Sequence, residues 1–176
     1  MSEVIQNSEE ITCVQILKYI VSKHPNPNIY NVLKILYFAD REHLLNYNGL
    51  MIFDKYIKKE RGPVPNLCYD ILKFVQDTNY EKKFAESIKK EIEVRSDDTI
   101  KNITEPNLYY LAKTSIKCLD KAIEEYKDYK DDQLEIKSHD KIYESVNFNE
   151  EITVFDMAKF LDESGELTEY LQETFI

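Results

Sequence analysis

Apolar residues near the start of the chain recur every three or four positions. This spacing predicts a helix over Ser8–Lys23, because side chains with that separation share one helix face. Asn7 or Ser8 can cap the first turn of this helix. The segment 24–28 contains two prolines, which cannot continue the helix, so a turn must follow.

The next apolar stretch predicts a longer helix over Ile29–Asn48, with Asn28 as its N-cap and Gly49 as its stop. Its apolar residues lie on most of its sides rather than on one stripe. Helices of this kind are usually surrounded by several neighbours. The pattern therefore places this helix at the centre of the fold.

The helical period ends after Gly49. The mixed segment Leu50–Arg61 predicts a short strand or an extended loop. Gly62-Pro63-Val64-Pro65 must also be extended, because a residue that precedes proline is displaced from the α region. Pro65 can open the first turn of another helix, which we expect to reach about Gln76.

The rest of the chain predicts more helix and one hairpin. The expected elements are a charged surface helix at 79–90, hairpin strands at 91–95 and 99–103, helices at 114–130 and 131–139 with Thr114 as the first N-cap, and two short helices after Thr153 that Gly165 separates. The pattern indicates a mainly helical fold around the central helix, with a small β-hairpin. We expect residues 1–147 to form one domain and residues 148–176 to pack on it as a helical extension.

Composition excludes several classes of function. The 176 residues include 33 acidic and 23 Lys or Arg side chains, and the net charge of −10 disfavours nucleic acid and favours a basic protein partner. The longest apolar runs, such as Ile35–Ala39, are too short to span a membrane. The polar, acidic N-terminus is unlike a secretory signal, so we expect a cytoplasmic protein.

The residues that could hold a metal or a cofactor are few and scattered. Cys13, Cys68 and Cys118 lie about fifty residues apart and fit no metal spacing, so we expect buried thiols in a reducing compartment. His139 could join His43 in a metal site, but the chain has no His-x-x-x-His or Cys-x-x-Cys pair. We therefore predict no metal and no cofactor.

Asp40 is the most informative position, because it lies inside the apolar stripe of the second helix. A buried carboxylate costs several kcal/mol unless it is paired or hydrogen-bonded. His43, three residues later, is one possible partner, and the backbone N–H groups before Gly62 are another. We expect Asp40 to form a structural network with His43 and the Gly62–Pro65 bend; a functional acid–imidazole pair and an interaction hot spot are the alternatives.

Two further residue types leave alternatives open. Arg41, one of three arginines, suits either a surface salt bridge or a ligand clamp. The 13 tyrosines can fill the core or form interface hot spots, and the core interpretation suits Tyr37 and Tyr47. The interface interpretation applies to five tyrosines outside the central segment, Tyr109, Tyr110, Tyr126, Tyr129 and Tyr170.

Two motifs together resemble a known family. The stretch 33–44, Leu-Lys-Ile-Leu-Tyr-Phe-Ala-Asp-Arg-Glu-His-Leu, is followed by Gly62-Pro63-Val64-Pro65 and Tyr69. This order is similar to the signature of the Panacea domain, the SocA-like antitoxin domain also met as a phage-associated protein. Residues 111–120 and the pair Ser138-His139 are weaker matches. The resemblance covers roughly residues 10–145.

The resemblance implies an antitoxin that neutralises a protein toxin by direct binding, without enzymatic activity or a cofactor. Some members of the family instead present a toxin to an ATP-dependent protease, and here the apolar tail Tyr170–Ile176 could serve as the handle. The least favoured alternative is an enzyme that uses Asp40, His43 and His139. The chain departs from the family pattern because it has no Trp and lacks a glycine in the Ile52-Phe53-Asp54 turn.

Overall fold

The computed structural model describes residues 7–175, and this part of the chain is mainly helical. It contains eight α-helices: α1 Ser8–Lys23, α2 Ile29–Tyr47, α3 Asn66–Gln76, α4 Lys113–Tyr126, α5 Asp131–Ser138, α6 Lys141–Glu144, α7 Val154–Leu161 and α8 Glu166–Thr174. Two short 3₁₀ turns cover Glu86–Lys90 and Leu108–Tyr110. The predicted mainly helical fold is confirmed.

The strands form two small antiparallel sheets. They are β1 Tyr56–Lys59, β2 Gly62–Pro65, β3 Ile92–Val94, β4 Ile100–Asn102 and β5 Glu151–Ile152. β1 lies between β2 and β5, with Tyr56 opposite Pro65 on one side and Ile152 on the other. β3 and β4 form the predicted hairpin. β5 and α6 are short elements that the sequence pattern does not predict.

The helix α2 is the centre of the core, as predicted. It contacts α1, α3, α4, α5 and α7, and its side chains from Val32 to Asp40 are all buried. Each large apolar side chain buried in this way stabilises the fold by about 1.5–3 kcal/mol. This contact with five helices explains why α2 is apolar on most of its sides.

The ends of the first two helices follow the sequence, with one correction. Asn7 and Asn28 each form a capping box at the predicted N-terminus. The stop of α2 is Asn48 rather than Gly49, because Asn48 adopts the left-handed conformation with φ of 59°. Asparagine tolerates this region better than most residues, so it ends the helix one position earlier.

Two helix predictions in the middle of the chain are wrong. Residues 79–85 are not helical, because the Tyr80 hydroxyl and the Lys82 ammonium fold back to bind the buried carboxylate of Asp70. The segment contains good helix formers, but helical propensity is worth only a fraction of a kcal/mol per residue, and the need of a buried carboxylate for donors outweighs it. Thr114 does not cap α4, which begins at Lys113, because its hydroxyl is bound to His43.

The last two helices pack on the body of the molecule. Thr153 forms the predicted capping box of α7, and Gly165, with φ of 83°, precedes α8. α7 contacts α2, α6 and α8. Leu167 and Leu171 bury the inner face of α8. Ile176, the last residue of the predicted tail, lies outside the described residues.

The cysteines require a correction. All three are buried, as predicted, but Cys13 and Cys68 are joined by a disulfide and only Cys118 is free. The two bonded residues are 55 positions apart in sequence, yet their Cα atoms are 6.0 Å apart because α1 packs against α3. Sequence spacing carries no information about this approach.

Between residues 7 and 175, no helix combines the length and hydropathy that a membrane crossing needs.

Candidate functional site

The carboxylate of Asp40 is wholly buried and has two hydrogen-bond donors. The Met51 backbone N–H donates to Oδ1 over 2.7 Å, and the Tyr56 hydroxyl donates to Oδ2 over 2.6 Å. The predicted backbone donor from the segment before Gly62 is therefore confirmed. The Tyr56 hydroxyl was not predicted. Asp40 ties the middle of α2 to the loop and strand that follow it.

Burial changes the acidity of Asp40. Loss of water raises the pKa of its carboxyl from 3.8 to about 7, while the bonds from Tyr56 and Met51 act in the opposite direction. The carboxyl therefore gains a proton near neutral pH in the folded protein. A group in this position contributes to the stability of the fold in a strongly pH-dependent way.

His43 does not pair with Asp40, so that prediction is wrong. Its Nδ1 lies 2.6 Å from the Gly49 carbonyl oxygen, which can only accept, so Nδ1–H is the donor. Its Nε2 lies within hydrogen-bond distance, 3.1 Å, of the Thr114 hydroxyl. His43 thus fixes the turn after α2 to the start of α4.

Lys34 joins α2 to the Gly62–Pro65 strand by a hydrogen bond, a role that was not predicted from the sequence. Its ammonium is buried and donates to the Pro63 carbonyl over 2.7 Å. Burial, reinforced by the nearby charge of Arg61, lowers the pKa of Lys34 from 10.5 to about 7. The available signal was that Lys34 is the single charged residue between Ile29 and Ala39.

Gly62 provides the space that Lys34 occupies. Its φ is +106°, and a Cβ there would clash with Ser138 Oγ and lie 2.7 Å from Lys34 Nζ. Pro63 and Pro65 are buried beside it, and Val64 is half-buried. Glycine is therefore required here both by backbone conformation and by close approach of a side chain.

The start of α3, next to this strand, is capped from outside the helix. Pro65 offers no capping side chain, and the Asp54 carboxylate accepts from the N–H groups of Leu67 and Cys68, at 2.8 and 3.0 Å. This role of Asp54 was not predicted from the sequence. The available signal was that Pro65, the residue before α3, has no side chain that can cap the helix. Tyr69, in the first turn of α3, is half-buried against the core.

Of the two interpretations of Arg41, the structure agrees with the salt bridge and not with a ligand clamp. Its guanidinium donates to Asp140 Oδ2 over 2.6 Å, with both side chains about a quarter exposed. It also lies 5.3 Å from the centre of the Tyr37 ring, which is wholly buried and packs edge-on to Tyr56. Arg41 therefore joins α2 to the N-cap of α6.

His139 lies apart from Asp40 and His43. Its ring stacks on Tyr143 at a centroid distance of 4.1 Å. The Tyr143 hydroxyl donates to the Lys59 carbonyl over 2.9 Å, at the turn of the β1–β2 hairpin. Within residues 7–175, Asp40, His43 and His139 share no hydrogen bond, and no group of three or more His, Cys, Asp or Glu side chains could hold a metal ion.

The comparisons with known proteins give one result. The family model described as the antitoxin SocA-like Panacea domain matches residues 32–143, more than half of the chain. The chain belongs to the SocA-like antitoxin family, the Panacea domain family. No curated protein and no solved structure matches the chain significantly.

The residues of the Panacea signature act as internal braces in this structure. Asp40 and His43 hold the segment after α2, Arg41 holds α6, and Lys34 holds the Gly62–Pro63 strand. The matched region of the Panacea domain leaves out α1, β5, α7 and α8. The division into residues 1–147 and 148–176 stays a prediction.

The surface of this Panacea protein carries aromatic side chains that the core does not use. Tyr109 is 88% exposed, and Tyr110 and Tyr170 are also exposed, whereas Tyr126 and Tyr129 are half-buried. A cleft of about 270 Å³ lies between α2 and α4 and is lined by the ion-paired residues Arg41, Glu42 and Lys121. Tyrosine side chains exposed in this way are typical of protein interfaces.

Proposed function

We propose that this chain is a non-enzymatic antitoxin that neutralises a protein toxin by binding it directly. The observation that carries the proposal is the match of residues 32–143 to the SocA-like antitoxin family. The site chemistry supports it, since the polar residues of the signature are engaged in bracing the fold. A protein toxin is met where it is synthesised, so we also infer that the chain acts in the cytoplasm.

We further propose that the toxin is basic. The chain has ten more acidic than basic side chains, and opposite charge raises the rate of encounter between proteins. The same charge repels nucleic acid and anionic membranes. The exposed tyrosines supply the rigid, partly apolar contact area that protein interfaces use.

Co-expression with the product of the neighbouring gene tests the antitoxin function. That product should arrest growth alone and become harmless when this chain is present, and the two proteins should co-purify. A product that is harmless alone, or that stays toxic beside this chain, would contradict the proposal. A reaction catalysed by the purified chain and lost on His43→Gln would instead favour an enzyme.

A second candidate function, delivery of the toxin to an ATP-dependent protease, is favoured by the exposed Phe175 at the end of α8. A chain that ends at Thr174 retains the buried Leu167 and Leu171 and should fold. If Phe175 belongs to a protease handle, this variant binds the toxin but no longer promotes its degradation. Equal degradation by both chains would exclude Phe175 as part of the handle.

A further inference from the structure

A groove between the end of α2 and the helix α8 exposes apolar side chains. Leu45 and Tyr170 are 45% and 46% exposed, and they line the same cleft of about 390 Å³ with Leu167. Asp162 and Glu166 line its polar side. We name this cleft the α2–α8 groove. The fold leaves Leu45 and Tyr170 open to water, so these two side chains are free to contact a partner.

The outer face of α8, next to these apolar side chains, carries exposed glutamates. Glu166, Glu169, Tyr170 and Glu173 are separated by three, one and three residues, so they share one face of the helix. All four are exposed, while Leu171 on the opposite side is buried. The result is one tyrosine among three glutamates on a rigid helix.

The acidic charge of the chain is concentrated in this region. Residues 148–176 contain eight acidic residues and one lysine, a net charge of −7 out of −10 for the chain. In the part of the chain that the structure describes, only Glu151 of these eight forms an ion pair, with Lys55. Asp162 accepts hydrogen bonds from Ser164 and Leu167, whereas the carboxylates of Glu166, Glu169 and Glu173 have no hydrogen-bond or ion-pair partner in the described structure and are available to cations from another molecule.

This charge selects among the possible occupants. A second copy of the chain that met the groove with its own groove would bring a like-charged surface, and nucleic acid or an anionic membrane would also be repelled. We propose that the α2–α8 groove binds a lysine- and arginine-bearing surface of the toxin, with an apolar side chain of the toxin placed between Leu45 and Tyr170. This inference rests on the proposed antitoxin function.

The test measures association of the purified chain with the product of the neighbouring gene at low and high salt. One variant combines Glu166→Gln, Glu169→Gln and Glu173→Gln. Its matched control combines Glu81→Gln, Glu105→Gln and Glu144→Gln, three exposed glutamates without ion pairs elsewhere on the described surface. Both variants change the net charge equally, so a difference between them reports the location of the charge.

We expect the α8 variant to associate about tenfold more slowly at low salt, an effect that salt removes, while the control changes far less. A second pair of variants tests the apolar centre. Tyr170→Ala should speed dissociation about tenfold or more, as truncation of a buried interface tyrosine does, and Phe53→Ala, which truncates an exposed ring outside the groove, should not.

The outcomes of these experiments distinguish failure of the docking site from failure of the antitoxin function. If the unchanged chain binds and neutralises the product but both α8 variants behave like their controls, the groove is not the docking site and the antitoxin function stands. If the unchanged chain does not bind at all, the proposed function fails and the inference fails with it. A dimer of the free chain that Tyr170→Ala dissociates would show a second copy in the groove and overturn the proposal.

Discussion

The buried carboxylate of Asp40 makes a quantitative prediction about stability and pH. Asp40→Ala removes the acceptor of two donors, the Tyr56 hydroxyl and the Met51 N–H. Each buried donor left without a partner costs about 1–3 kcal/mol. We therefore expect the variant to lose about 2–6 kcal/mol of unfolding free energy at pH 5, where the folded protein keeps Asp40 protonated.

The same substitution should matter less as the pH rises. The folded pKa of about 7 lies above the unfolded value of 3.8, so the folded state binds more protons in this interval. Stability contributed by Asp40 is then fully present below the unfolded pKa and is lost as the pH rises through the folded pKa. Since one pKa unit equals about 1.4 kcal/mol, the wild type should lose about 3 kcal/mol relative to the variant between pH 5 and pH 8.

Urea unfolding of both proteins across this pH range measures the difference directly. Asp128→Ala, which removes an exposed carboxylate without a hydrogen bond in the described structure, is the matched control and should stay close to the wild type. A gap between the wild type and Asp40→Ala that is the same at every pH would refute the reasoning. It would mean that water reaches Asp40 in the folded protein.

Three further predictions follow from other contacts. Because the folded pKa of Lys34 is lowered to about 7, stability should rise with pH from about 7 to 10 in the wild type and not in Lys34→Met, as followed by urea unfolding. Gly62→Ala should cost about 2–4 kcal/mol through its positive φ and its clash, while Gly49→Ala, with open space around it, should change the melting temperature little. When the oxidised protein is denatured without reductant and alkylated, mass spectrometry should find one modified cysteine, Cys118, and three after reduction. Three modified cysteines in both samples would contradict the disulfide.

The central helix was predictable because its own residues carry the information. The even distribution of apolar positions in α2 indicated that it is surrounded, and Asp40 within that pattern indicated a bound carboxylate. The identity of its partner was not predictable from α2 alone. The Tyr56 hydroxyl reaches Asp40 only because β1 pairs with β2 and β5 and so turns Tyr56 inward.

The incorrect and missed predictions also depend on contacts between segments that are distant in sequence. Lys34 on a helix predicts a solvated side chain, and only the approach of Gly62 from 28 positions away makes room for it in the interior. The helix expected at 79–90 failed because Asp70 attracts Tyr80. The groove between α2 and α8 depends on a contact between distant segments, although the acidity of the C-terminal region is visible in the sequence.

The position of α1 limits how the molecule can be divided. This helix lies before the matched region, yet its residues from Cys13 to Val21 are all buried, and it packs against both α2 and α3. A fragment cut at residues 32 and 143 would bare the inner surface of α2 along its length. The segment that the family model matches is thus smaller than the segment that forms the core, and a shortened chain has to begin before α1 to keep that core.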